Sequence, residues 1–276
     1  MTSISLHPTP SSRAVAVEQF RAVGLALRTE AILFVSALLV LSGIIIANAV
    51  RFVQTHPEGH MQMGFTYRAE GVVPIFLVAL LIPFGVWRAE DPSRRAYHWS
   101  MPVARGPHTI AKLLSGWLWM MIAVAVYLLC IITLGRIIPA IVGEAARPGV
   151  TPGWEWVAAF TAATLAYLLT STAVIASNHP WRWIGGLVIG YGVLVAVLNA
   201  FGMPEAGRVL QMISDGAYGF KAALVGATQD GPRGVSVGMT RETMRALRFS
   251  TWLIAMPLWI IGSGIAVTIA SYRHRE

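Results

Sequence analysis

The sequence predicts an all-α, polytopic membrane protein with six transmembrane helices, an N-terminal interfacial helix and short helices in its fifth, outer connection. Three observations predict it. Hydrophobic residues fill 55% of the 276 positions and charged residues only 12%, about half the charged share of a soluble domain. Runs free of Asp, Glu, Lys and Arg recur at 31–50, 71–87, 113–135, 156–181, 183–204 and 249–272. The basic residues fall unequally in the connections between those runs, and that asymmetry orients a membrane protein.

Residues 1–13, rich in Ser, Thr and Pro, read as a disordered cytoplasmic tail. The stretch 14–28 alternates Val15, Val17, Phe20, Val23, Leu25 and Leu27 with Glu18, Gln19, Arg21 and Arg28. It is expected to lie along the cytoplasmic interface, apolar face in lipid and arginines near anionic headgroups. Residues 29–276 then form the six-span domain, with spans at about 31–50, 71–87, 110–135, 154–177, 183–202 and 249–271. The first run is followed by Arg51 and Phe52 rather than by a small-residue cleavage site, so it reads as a retained span and not as a signal peptide. Pro74, Pro83 and Pro257 are expected to kink spans two and six. Gly262-Ser263-Gly264 reads as a close-packing patch of small residues.

Orientation follows from Lys and Arg. The N-terminal tail, the 88–112 connection, the turn between spans four and five and the C-terminal tail together carry eleven: Arg13, Arg21, Arg28, Arg88, Arg94, Arg95, Arg105, Lys112, Arg182, Arg273 and Arg275. The first and third connections carry four. Both termini are therefore expected in the cytoplasm, in a bacterial-type plasma membrane. The long outer connection at 203–248 translocates largely regardless of its charge. The net charge of +8 is spread between apolar runs rather than gathered in one stripe, so membrane lipid is an expected partner and nucleic acid is not.

Tryptophans at 87, 99, 154, 156, 181, 183 and 252 fall near the ends of spans, where an amphipathic ring is favoured. Trp117, Trp119 and Trp259 fall deeper, and either pack or face a cavity. Asn48, Tyr191 and Asn199, with Thr170, Ser171 and Thr172 in span four, are polar candidates inside spans. With Trp117 and Trp259, those at 48, 170, 191 and 199 are the candidate lining of a pathway, interhelical hydrogen bonding being the alternative role.

Chemistry is sparse elsewhere. The chain has only two lysines, Lys112 and Lys221, and no Gly-x-x-x-x-Gly-Lys-Ser/Thr stretch, so any ATP must be handled by another subunit. His56 and His60 flank Glu58 in an outer connection and read as a solvated polar loop rather than a metal site. Cys130 sits alone in an apolar run as a packing residue. The near-absence of ionisable groups inside the spans argues against an ion-coupled carrier.

The connection at 88–112 is the most informative segment. Glu90 and Asp91 precede a short helix starting near Pro92; Arg94, Arg95, Tyr97 and Trp99 follow, and Pro102 ends it before Arg105. Mixed charge with aromatic anchors suits docking of a soluble partner. Glu90, the segment 92–100, Pro102-Val103-Ala104-Arg105 and the lead-in Lys112-Leu113-Leu114-Ser115-Gly116 resemble the first cytoplasmic loop of the type-2 ABC exporter permease family. The layout, from interfacial helix to folded-back fifth connection, is similar as well. The chain departs from the family at Arg95-Ala96-Tyr97-His98-Trp99, where members often carry a Gly-Thr pair and a Leu-rich stretch. The resemblance implies a transporter subunit that binds no cofactor itself and is not an enzyme alone. It implies two partners: an ATP-binding cassette subunit, carrying ATP and magnesium, and a second permease, identical or homologous. The loop would rest on the ATP-binding subunit, with Asn178, His179 and Arg182 as a second, smaller contact. A pathway so poor in ions suits a hydrophobic or amphipathic substrate. The competing classes are an ATP-independent carrier or scaffold and an intramembrane enzyme.

Overall fold

A computed structural model describes residues 12–55, 72–88, 105–142, 153–177, 179–201, 205, 212–214, 218–225 and 241–273. Among them every regular element is helical: α1 (Ser12–Ala26), α2 (Arg28–Thr55), α3 (Val72–Trp87), α4 (Arg105–Val142), α5 (Gly153–Ala176), α6 (Pro180–Ala200), α7 (Phe220–Val225) and α8 (Arg241–Arg273). Five are long and apolar enough to cross a membrane, namely α2, α4, α5, α6 and α8. The other long apolar helix, α3, is shorter, its apolar part running Pro74–Trp87. At ~1.5 Å per residue the described part of α3 spans ~24 Å of a ~30 Å hydrocarbon core.

α5 is the hub, and its sequence explains why. Ala158, Ala159, Ala162, Ala163 and Ala166 are all buried, so neighbouring backbones approach closely where lipid offers no hydrophobic driving force. α3 and α4 pack on one side of it, joining Ile75, Ala79, Met120, Val124 and Leu128 to its alanines. α7 and α8 pack on another, where Leu165 meets Ala222, Ala223 and Ala255. A third cluster, Val23, Leu27, Val86, Trp87, Ile175, Val267 and Ala270, ties α1 to the ends of α3, α5 and α8. α2 and α6 flank this body with their apolar side chains largely exposed.

Helices run on past the apolar spans: α2 continues through Arg51 to Thr55, and α8 begins just after Thr240, the expected cap of a helix leading into the sixth span. α4 begins at Arg105 and continues through Arg136 and Pro139. Pro107 lies in its first turn, where the missing N–H costs no helical hydrogen bond. α8 starts at Arg241, so the charged stretch before Phe249 is already helical. Charge ends a membrane segment without ending a helix. Pro83 and Pro257 lie inside α3 and α8, and both helices run through them.

The apolar residues of α1 divide: Val23 and Leu27 are buried in the protein, while Val17 and Leu25 are exposed. At Gly262 and Gly264 a Cβ would meet nothing within 4 Å among the described residues. The buried member of that patch is Ser263, whose hydroxyl donates to the Trp259 carbonyl of its own helix at 2.6 Å.

Candidate functional site

Glu90, Asp91, Arg94, Arg95, Tyr97, Trp99 and Pro102 lie outside the described residues, and so do His56, Glu58 and His60. What the structure describes is the root of the 88–112 loop: the end of α3, the start of α4 and the α1–α2 elbow that braces both. Arg105 opens α4.

The elbow is a single kink at Leu27. Its N–H donates to the Val23 carbonyl at 2.9 Å and its carbonyl accepts from Ala31 N–H at 2.8 Å, so hydrogen bonding bridges α1 and α2. Leu27 drops onto Gly85, where a Cβ would come within 2.5 Å of its Cδ2. One turn on, Glu30 accepts from Arg88 at 3.4 Å. That exposed ion pair is worth at most about 1 kcal/mol. The leucine-into-glycine contact is therefore the stronger determinant of geometry, and the ion pair sets direction.

On the other side, α1 is bolted to α4. The Trp119 ring stacks on Phe20 with centroids 5.0 Å apart, and its indole N–H donates to the Phe20 carbonyl at 3.1 Å. It occupies the notch left by Gly24, where a Cβ would lie 2.6 Å from the ring. Gln19 Nε2 and His108 Nε2 are 3.0 Å apart. Between these contacts Lys112 is 93% buried, its Nζ 4.8 Å from the Trp87 ring centroid. An ammonium over an aromatic face at that range recovers part of its lost hydration. Among the described residues, Trp87 Nε1 and Glu30 Oε2 are buried polar atoms with no hydrogen-bond partner.

α4 and α5 are locked further in. Tyr167 donates to the Leu113 carbonyl at 2.8 Å, and Trp117 donates to Thr164 at 3.0 Å. Gly116 faces the Tyr167 hydroxyl and Val86, and a Cβ there would strike the hydroxyl and come within 2.8 Å of Val86. Cys130 does more than fill space. Ser42 gives its proton to the Leu38 carbonyl at 2.7 Å, so the 3.2 Å contact between Ser42 Oγ and Cys130 Sγ has the thiol as donor, joining α2 to α4.

The turn between α5 and α6 is tight. Arg182 and Trp183 N–H groups both donate to the His179 carbonyl, at 3.0 and 3.3 Å, with Pro180 at the first helical position. His179 and Arg182 are exposed, while Asn178 lies outside the described residues. Trp181 stacks on Phe84 at 4.2 Å, holding the start of α6 to α3.

α7, in the connection between α6 and α8, packs back against the bundle. Phe220 meets Trp259 edge-on at 5.5 Å and Phe76 at 6.3 Å, and the Trp259 indole donates to the Tyr218 carbonyl at 2.9 Å. Ala222 and Ala223 are buried against Leu165, about 18 Å along α5 from its start.

Of the six candidate pathway residues, five have described side chains, and these fall on different elements. Trp117 and the buried Thr170 belong to the core around α5. Trp259 holds the connection between α6 and α8, and Tyr191 is bonded to Ser214 at 2.8 Å. Asn48 is exposed on α2, and the Asn199 side chain lies outside those described. For Trp117, Tyr191 and Trp259 the hydrogen-bonding role is the one observed. Sequence reading missed Gly24, Gly85 and Gly116. Their signal was present, since a lone glycine inside a helix costs about 1 kcal/mol against alanine and calls for a packing reason.

No family model, curated protein or solved structure matches the chain.

Proposed function

We propose that the chain is the membrane-spanning subunit of an ABC-type exporter, with six spans, both termini in the cytoplasm of a bacterial-type plasma membrane, and a hydrophobic or amphipathic substrate. A separate ATP-binding subunit docks on the 88–112 loop. The observation that carries the reading is the braced root of that loop: α3 ends and α4 begins against one elbow, through Leu27 on Gly85 and Trp119 on Gly24. A loop rooted in this way passes a push from a docked subunit into α3 and α4, and through Tyr167 and Trp117 into α5. The acidic pair Glu90–Asp91 and the Pro102-Val103-Ala104-Arg105 signature supply the docking chemistry.

α3 completes the six spans by locally thinning the bilayer, at a cost of fractions of a kcal/mol per Å of mismatch. α2 and α6, exposed along their lengths, leave surface for lipid and for the second permease. α7 seals the outer end of the bundle until the helices around it part. ATP and magnesium belong to the partner.

The test is charge reversal at Glu90 and Asp91 together in the assembled complex. ATP hydrolysis is expected to continue while substrate transport falls at least tenfold. Transport and hydrolysis both at the unmodified level would show that the partner docks elsewhere.

A further inference from the structure

Once α1 has spent one face on α4 and α3, its opposite face remains. Val17, Arg21 and Leu25 are spaced four residues apart and form one exposed stripe on α1, and the exposed Arg28 opens α2 just past the elbow. Leu25 is 73% exposed. A leucine between two arginines suits a surface where a side chain can enter the acyl boundary while its neighbours reach phosphates. The level fits as well. α1 lies against α4 between His108 and Trp119, where the charged connection gives way to the apolar run. Arg21 and Arg28 stand on either side of the elbow. Glu18 lies three residues before Arg21 on α1, within reach of it on the helix surface. Among the described residues the ion pair is Glu30 with Arg88, and neither Arg21 nor Arg28 takes part in it.

We propose that this stripe together with Arg28 is a docking site for the headgroups of anionic phospholipids, and that lipid held there sets the position of the 88–112 loop. The second half rests on the reading of that loop as the docking element. α1 is the connecting piece: Gln19 meets His108 at the far end of the loop, and Glu30 just past the elbow meets Arg88 at the near end. A headgroup that draws Arg21 and Arg28 toward the membrane plane holds both ends together.

The full chain, extracted from bilayers of equimolar phosphatidylglycerol and phosphatidylcholine and examined by native mass spectrometry, reports the lipids it retains. Phosphatidylglycerol is expected to be enriched. The paired variant Arg21→Gln/Arg28→Gln should lose about thirtyfold of that enrichment, at about fivefold per arginine. Arg21→Lys/Arg28→Lys should keep most of it, and ~1 M salt should suppress it in the unmodified chain. Equal retention of the two lipids by the unmodified chain, or enrichment untouched by the glutamine pair, overturns the proposal. So does a glutamine pair that binds lipid normally but loses a protein partner, since the stripe would then belong to that partner. If the glutamine pair fails to fold, the salt response and the lysine pair still decide. Because retention is read on the chain alone, its failure is separate from any failure to find an ATP-binding subunit.

Discussion

Gly24→Ala puts the seat of α1 to a quantitative test. The new Cβ would lie 2.6 Å from Cζ2 of Trp119 and 3.0 Å from Cε2, so the ring must retreat by about 1 Å to reach ordinary contact. Overpacking of this kind costs about 1–3 kcal/mol. Alanine's higher helix propensity acts whether or not α1 is seated, so it does not offset this cost. The seated position therefore loses about 1–3 kcal/mol, or roughly 5- to 150-fold in its equilibrium. The assay is cross-linking by a bifunctional thiol reagent between cysteines placed at Gln19 and His108, whose longer native side chains meet at 3.0 Å, in a Cys130→Ser background. Cross-linking should be fast with Gly24 and slowed with alanine. Trp119→Leu removes the ring, its stack on Phe20 and its hydrogen bond, and should itself slow cross-linking. Adding Gly24→Ala to it should then cost nothing further, because the atom it strikes is gone. Equal cross-linking with glycine and alanine, or additive effects of the two substitutions, would refute the notch.

Two further substitutions probe the body of the bundle. Tyr167→Phe removes one buried hydrogen bond to the Leu113 carbonyl and should lower stability by about 0.6–1.7 kcal/mol, measured by reversible unfolding in mixed micelles; a change below about 0.3 kcal/mol would deny the α4–α5 lock. Trp259→Phe keeps most of the ring contact with Phe220 but deletes the bond to the Tyr218 carbonyl. Protease added on the outer side should cut the 203–248 connection several-fold faster, and unchanged cutting would mean that the bond does not hold it.

Much of this architecture was written in the charge-free runs, because the cost of placing Asp, Glu, Lys or Arg in hydrocarbon fixes where a span can lie. α2, α5 and the apolar part of α8 fall close to where those runs place them. The pairing of faces was not legible. Lipid and protein interior are equally apolar, so leucine and valine look alike on either side of a helix, and small residues carry the difference. Gly85 and Gly116 lie in contacts, whereas Gly186, Gly190, Gly262 and Gly264 face open space, and their neighbours in sequence do not distinguish them. α1 was legible only in part: one apolar pattern carries both Val23 and Leu27, which are buried in the protein, and Val17 and Leu25, which are exposed. The contacts that hold α7, from Phe220 to Phe76 and Trp259, join residues far apart in sequence; the family resemblance implied a folded-back connection without naming them.

Purifying the chain with its natural neighbours intact tests the central claim most directly. A stoichiometric ATP-binding subunit should accompany it, the pair should hydrolyse ATP in a magnesium-dependent manner, and the chain alone should not. A chain that arrives with no nucleotide-binding partner, yet moves a substrate or performs chemistry unaided, would contradict the account.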